Sequence, residues 1–146
     1  MKNYYLTLLF TVFCLNNSLL ANTTKDDIIG IWLSANGKGQ VQIYKEGDKY
    51  FGKLYWLKEP NGPKGNPKMD INNPNPALKN KPLLGTMLLR GFVFDDGEWK
   101  GGRIYDPENG KDYKCYIKLK DSKTLAMRGY IGISLLGRTE IWTRVK

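Results

Sequence analysis

The feature that most constrains this chain is a succession of about eight short segments of strand character, joined mostly by tight turns. The clearest runs from Tyr113 to Lys120, where apolar or aromatic residues alternate with lysines. Such alternation indicates a half-buried strand, because successive side chains of a strand point to opposite faces. No segment shows helical periodicity of useful length. The pattern therefore predicts an all-β protein.

The turns between these segments favour antiparallel pairing of neighbouring strands. Glu46-Gly47-Asp48 and Asp95-Asp96-Gly97 are short turn sequences between strand-like runs, and strands joined in this way pair antiparallel. Eight such strands in chain order close into an up-and-down barrel, which is wide enough for one small ligand. A two-sheet sandwich is the alternative, because it fits the same number of strands. We predict an eight-stranded antiparallel up-and-down barrel.

Residues 1–21 have the features of a secretory signal peptide. Lys2 supplies the positive start, residues 6–15 form the apolar stretch, and Ala21 is a small residue where cleavage is expected. The apolar stretch is too short to span a bilayer. We therefore expect one domain over residues 22–146 that is periplasmic or secreted, with no transmembrane segment.

The residue types exclude several kinds of catalytic or metal site. The chain has no histidine, which excludes Ser-His-Asp and Cys-His nucleophilic systems and the usual zinc sites. Cys115 is the one cysteine left after removal of the signal, and we interpret it as a small apolar core residue. The carboxylates cluster in turn sequences, where they more often bond the backbone. We expect no catalytic residue, no metal and no cofactor.

The chain is basic, with a formal net charge of +9, or +8 once Lys2 has been removed with the signal. Such an excess favours acidic surfaces such as lipid headgroups, acidic glycans or nucleic acid. Aromatic residues interleave with lysines on the strands, as they do in nucleic-acid-binding barrels. These lysines alternate with inward residues, however, as on any solvated barrel wall. We therefore expect no nucleic-acid partner.

Two segments depart from the strand pattern. Residues 58–82 contain six of the seven prolines, and a loop of this length is often a lid or a binding loop. The segment Gly129 to Arg138 is punctuated by glycine and rich in Ile and Leu, and it is too apolar for a plain exposed loop. We expect it to fold over a barrel mouth or to contact another subunit. On the strand before it, Leu125, Met127 and Ile131 are predicted to face inward.

Gly30-Ile31-Trp32 on the first strand and Arg144 near the end of the last resemble the pattern of lipocalin-like barrels. In that architecture a basic side chain packs across the indole at the closed end. The resemblance implies that Gly30, Trp32 and Arg144 close one end of the barrel. Glycine in a strand lets another group approach the backbone closely, and the cation–π contact is worth about 0.5–2 kcal/mol.

Seven stretches carry a second resemblance: Gly30-Ile31-Trp32 and residues 75–78, 81–85, 99–111, 129–132, 136–139 and 142–144. They are similar to the exported bacterial proteins of the domain-of-unknown-function 2147 (DUF2147) family, and this resemblance spans nearly all of residues 22–146. The resemblance implies a lipocalin-like barrel that carries a small apolar ligand.

We expect a non-enzymatic, exported lipocalin-like protein that binds a small, mainly apolar molecule, either fatty or aromatic. Strand alternation assigns the ligand-lining side chains to Tyr50, Leu54, Trp56, Cys115, Ile117, Met127 and Ile141. The alternative is an envelope interaction module with a solid barrel, which binds an acidic glycan, a lipid headgroup or a protein through its basic outer face. A hydrolase that uses turn carboxylates is a third hypothesis. The first two differ in whether the barrel interior is open.

Overall fold

The computed structural model describes residues 22–146, so the predicted signal peptide 1–21 lies outside the described residues. Eight antiparallel strands form one closed barrel in chain order. The strands are β1 (Gly30–Leu33), β2 (Gly39–Glu46), β3 (Lys49–Leu57), β4 (Met87–Asp95), β5 (Glu98–Asp106), β6 (Lys111–Leu119), β7 (Thr124–Tyr130) and β8 (Arg138–Arg144). The predicted all-β up-and-down barrel is confirmed, and the sandwich alternative is wrong because β8 pairs with β1.

Because successive strands run in opposite directions, the connecting segments alternate between the two ends of the barrel, here called the closed end and the open end. The closed end carries the segments 22–29, 47–48, 96–97, 120–123 and 145–146. The open end carries the segments 34–38, 58–86, 107–110 and 131–137. A short 3-10 helix, Ser134–Leu136, lies in the last of these. Within the described part of the chain, no helix has the length and apolarity needed to cross a membrane.

A bulge in β3 decides which of its residues face inward. The register between β2 and β3 shifts so that Tyr55 has no paired residue opposite it. An extra residue on one strand reverses the alternation beyond it. Tyr50 and Leu54 are therefore buried, whereas Trp56 is 39% exposed. The prediction that Trp56 shares their inner face is wrong, and Leu57 takes that face instead.

The residues of β8 that face the barrel interior also differ from the prediction. Leu125 of β7 is opposite Trp142, and both are buried. Paired residues of antiparallel strands point to the same face, so Trp142 faces inward. Ile141, one residue earlier, faces outward and is 39% exposed. The prediction that Ile141 lines the interior is therefore wrong.

Apolar and aromatic side chains pack the half of the barrel nearest the closed end. Trp32, Tyr50, Phe92 and Trp99 are its largest buried side chains, each at most 2% exposed. Tyr50 and Trp99 meet edge to face, with ring centroids 6.3 Å apart. Cys115 is buried in the same core, and burial raises the pKa of its thiol to about 12. A thiol in this state is inert, as expected of a core residue.

The long segment 58–86 is anchored to the barrel by hydrogen bonds of polar side chains, some of them buried. The hydroxyl of Tyr105, on β5, donates to Asp70 Oδ1 at 2.7 Å. The amide of Asn73 donates to the other oxygen of that carboxylate, also at 2.7 Å. Asn72 Nδ2 donates to two carbonyl oxygens of the β5–β6 turn, each at 3.0 Å. These contacts fix the segment beside the open end.

Candidate functional site

Trp32 and Arg144 meet at the closed end of the barrel. They are opposite each other in the β1–β8 pair, and the guanidinium carbon of Arg144 lies 4.1 Å from the centroid of the indole. The indole nitrogen donates to the carbonyl oxygen of Ile28 at 2.8 Å. Gly30 has φ +148°, and a Cβ there would clash with the Lys146 carbonyl oxygen and lie 2.6 Å from Arg144 Nη1. The close approach therefore requires glycine.

The N-terminal turn before β1, residues 24–29, covers this end. The hydroxyl of Tyr50 donates to Asp26 Oδ1 at 2.8 Å, and Trp99 Nε1 donates to the Lys25 carbonyl oxygen at 3.1 Å. The hydrogen bond from Tyr50 holds the pKa of Asp26 below its ordinary value. Burial, together with the Asp26 carboxylate, raises the pKa of Tyr50 to about 12. Aromatic side chains inside the barrel thus bond the turn that closes it.

The open end contains a cavity of about 770 Å³. This volume lies within the range of small-molecule sites. Its walls are mostly apolar side chains, namely Leu83 of the segment 58–86 and the strand residues Val41, Leu54, Leu57, Leu88, Ile104, Met127 and Trp142. Its rim is polar: Ser34, Asn36, Lys38, Lys58, Glu59, Lys68, Asp106, Glu108 and Arg138. We refer to this space as the mouth cavity.

An ion pair lies across the mouth cavity. Lys38 Nζ, between β1 and β2, is 3.4 Å from Glu108 Oε1, between β5 and β6. These two connections are on opposite sides of an eight-stranded barrel. Both side chains are about two-thirds exposed, so the pair contributes little to stability, about 0–1 kcal/mol. Breaking the pair therefore has a small energetic cost.

A carboxylate also faces the mouth cavity from β8. Glu140 is opposite Met127, so it points inward like that residue. Its Oε1 pairs with Arg138 Nη2 at 3.2 Å, and its Oε2 accepts from Trp142 Nε1 at 3.4 Å. The inner face of β8 thus presents an indole and an acid together.

The structure divides the seven predicted lining residues into three groups. Two of them line the mouth cavity: Leu54 and Met127. Three are buried in the core and do not line the cavity: Tyr50, Cys115 and Ile117. The last two are on the outer wall: Trp56 and Ile141.

Sequence reasoning missed several wall residues, of which Trp142 is the most informative. Its inward position follows from the resemblance to lipocalin-like barrels, which packs Arg144 on the indole of Trp32 at the closed end. Residues i and i+2 of a strand share a face, so Trp142 follows from Arg144. The inward position of Leu57 does not follow from the sequence pattern, because it depends on the bulge at Tyr55.

Some turn carboxylates bond the backbone, as predicted, whereas Asp26, Asp95 and Glu108 pair with side chains. Asp106 Oδ1 accepts from the amide of Glu108 at 2.9 Å. Asp121 Oδ1 accepts from the amides of Lys123 and Thr124 at 2.8 and 2.7 Å. Among residues 22–146, no group of three His, Cys, Asp or Glu side chains is placed to hold a metal ion.

A second cavity, of about 570 Å³, lies outside the barrel wall between the segment 58–86 and the strands β4 to β6. Two of its charged residues, Arg90 and Asp112, are paired with each other. Asp112 also lies 3.6 Å from the Nε of Arg103. Because these charges satisfy one another, we assign the candidate site to the mouth cavity.

Comparison with known proteins agrees with this architecture. Protein HP1028 from Helicobacter pylori, described as belonging to the lipocalin family, superposes with a TM-score of 0.70 at 22% identity, over 81% of this chain and 82% of that one. At this identity the likeness shows the lipocalin-like fold alone. No curated protein matches the chain. The DUF2147 family model, described as "uncharacterized protein conserved in bacteria", matches residues 30–144. The chain therefore belongs to the DUF2147 family.

Proposed function

We propose that this protein is an exported carrier, not an enzyme, which binds a small molecule with a mainly apolar body in the mouth cavity. The observation that carries the proposal is the cavity of about 770 Å³ above a packed core. A solid barrel, as in an interaction module, would have no such space. The lipocalin-like fold supports the same function, because eight-stranded barrels of this kind are wide enough to hold one small ligand.

The lining suggests the chemistry of the ligand. Leu54, Met127 and Trp142 supply an apolar surface, and burying a ligand against it contributes roughly 25 cal/mol per Å² of apolar area. Lys38 and Glu108 place both signs of charge at the rim. A fatty or aromatic molecule with a polar end group matches this arrangement, with its apolar body inward and its polar end at the rim.

Adjacent residues of β3 provide a matched test. Leu54 faces the cavity, whereas Tyr55 is on the outer wall and 50% exposed. We expect Leu54→Trp to narrow the cavity and weaken binding of an apolar probe about tenfold, equivalent to about 1.4 kcal/mol. Tyr55→Trp introduces the same side chain outside and leaves the affinity unchanged. Isothermal titration calorimetry with fatty acids and aromatic probes measures the affinity of each variant. Urea unfolding checks that each variant is folded.

Two results would contradict ligand binding in the mouth cavity. One is no heat of binding for any fatty acid or aromatic probe at high micromolar concentration. The other is equal affinity in Leu54→Trp and the wild type. Native mass spectrometry of the protein purified from its own source, followed by organic extraction, identifies the natural ligand directly.

Export has its own test. The signal-like residues 1–21 support it, with Lys2 before an apolar stretch and Ala21 at its end. The intact mass of the periplasmic or secreted protein should correspond to a chain without these residues. A mass that includes Met1 would contradict export.

A further inference from the structure

The segment 131–137 at the open end, here called the apolar loop, presents four large aliphatic side chains to solvent. They are Ile131, Ile133, Leu135 and Leu136, which are 65%, 59%, 81% and 78% exposed. Isolated exposed aliphatic residues are normal, but a cluster of this kind marks an interaction surface. The prediction that Ile131 faces inward is wrong, because β7 ends at Tyr130 and leaves it in the loop.

The loop is held in this conformation by Arg128 of β7. The Nε of Arg128 donates to the Ser134 carbonyl oxygen at 2.7 Å, and its Nη2 donates to that of Leu135 at 3.2 Å. Its Nη1 donates to Thr139 Oγ1 at 2.8 Å, which joins the loop to β8. Hydrogen bonds from a charged donor are stronger than neutral ones. The fold therefore fixes a backbone whose apolar side chains point outward.

The end of the barrel that carries the apolar loop is also its basic end. The open-end segment 58–86 has five lysines and two aspartate or glutamate residues, 34–38 adds one lysine, and 107–110 adds one glutamate, for a net charge of +3. The closed-end segments have four lysines and five aspartates, for a net charge of −1. Arg138, directly after the apolar loop, has a side chain that is 85% exposed. The exposed aliphatic residues are thus at the more basic end of the barrel.

We propose that the apolar loop inserts into the surface of an anionic lipid bilayer, with the open end facing the membrane. Four aliphatic side chains without a charge among them suit acyl chains, and the lysines of the other open-end segments suit anionic headgroups. Buried apolar area and electrostatic attraction add in such binding. The inference does not depend on the proposed function, because the loop inserts whether or not the mouth cavity is occupied.

Flotation of the full protein with lipid vesicles tests the proposal. We expect it to float with vesicles of phosphatidylglycerol and phosphatidylcholine, and less with pure phosphatidylcholine or in high salt. Leu135→Ser with Leu136→Ser should weaken vesicle binding about tenfold or more. The matched control is Val93→Ser with Val145→Ser, which removes two exposed aliphatic side chains away from the mouth. It should bind as the wild type does.

A site-specific probe reports insertion directly. In the protein without residues 1–21, the remaining native cysteine is Cys115, which is buried with its thiol pKa raised to about 12. A cysteine introduced in this protein by Leu135→Cys is therefore labelled selectively with a nitrobenzoxadiazole dye. We expect its emission to rise and shift to the blue on addition of anionic vesicles. The same dye attached after Val93→Cys should not respond.

Three outcomes would overturn the proposal. The first is an absence of flotation with anionic vesicles. The second is equal flotation of the wild type and the Leu135→Ser, Leu136→Ser variant. The third is self-association, measured by analytical ultracentrifugation, that this variant abolishes while the dye stays insensitive to vesicles. That result would make the apolar loop an interface between copies of the chain.

Discussion

The two ends of this barrel are built from different interactions. At the closed end, the buried rings of Trp32, Tyr50 and Trp99 each donate a hydrogen bond to the N-terminal turn. At the open end, the rim of a cavity is bridged by Lys38 and Glu108, both largely exposed. The comparison indicates that the closed end holds the barrel together, whereas the open end carries the proposed binding site.

The physical difference between the ends is solvent access. A buried donor that loses its partner costs about 1–3 kcal/mol, because water does not replace the lost bond. An exposed ion pair that opens is hydrated at once, so its loss costs about 0–1 kcal/mol. Within residues 22–146, every buried side-chain nitrogen or oxygen has a hydrogen-bond partner. The closed end is therefore expected to resist change that the open end tolerates.

Removal of the closing indole should have the largest effect. Trp32 is fully buried and packs on Arg144, so Trp32→Ala should lower the free energy of unfolding by about 3–5 kcal/mol. The control is Trp56→Ala, which removes the same ring from the outer wall and should cost less than about 1 kcal/mol. Urea unfolding measures both. Equal losses would show that Trp32 does not close the barrel.

Acid should weaken the closed end by a smaller amount. The hydrogen bond from Tyr50 lowers the pKa of Asp26 below its ordinary value of 3.8. The folded state thus favours the charged carboxylate. The resulting stability is complete above pH 3.8 and is lost as the pH falls through the lower pKa of the folded state. Asp26→Asn lacks this contribution.

We therefore expect Asp26→Asn to be less stable than the wild type at neutral pH, and the difference to shrink in strong acid. Urea unfolding across the acid range measures it. As a second check, Tyr50→Phe removes the donor, so the pKa of Asp26 measured by carboxyl NMR should rise. A difference in stability that is constant with pH would contradict this role of Asp26.

The ion pair across the mouth should give the smallest effect on stability. Lys38→Ala is expected to change the free energy of unfolding by no more than about 1 kcal/mol. It should speed both entry and exit of an apolar probe in stopped-flow measurements, and Glu108→Ala should do the same. The double variant should be no faster than either single variant. Unchanged rates in all three would show that the pair does not restrict the mouth.

The barrel was predictable from the sequence because its signals are local. Alternation from Tyr113 to Lys120 gives the inner face of β6, on which Cys115 and Ile117 are buried as expected. The turn Asp96-Gly97 has positive φ at both residues, 48° and 77°, as a two-residue hairpin of the favoured type requires. Signals of this kind lie within a few residues of each other.

The candidate site was less predictable for two reasons. It depends on which residues of each strand face inward, and on contacts between residues that are far apart in the sequence. A single unpaired residue, Tyr55, moves Trp56 to the outer wall, and nothing in the alternation marks it. The turn at Lys25 and Asp26 closes the barrel through a backbone carbonyl and a carboxylate, without any apolar periodicity. These features become apparent only when the strands are paired.

The four tryptophans report on the central claim, which is that a ligand binds at the open end and leaves the closed end unchanged. Trp142 lines the mouth cavity, Trp32 and Trp99 are in the packed core, and Trp56 is on the outer wall. The measurement is a titration of the ¹⁵N-labelled protein with an apolar ligand, followed at the four indole N–H resonances. A shift of the Trp142 resonance alone is the predicted result. A shift at Trp56 with Trp142 unchanged, or shifts confined to Trp32 and Trp99, would contradict the account.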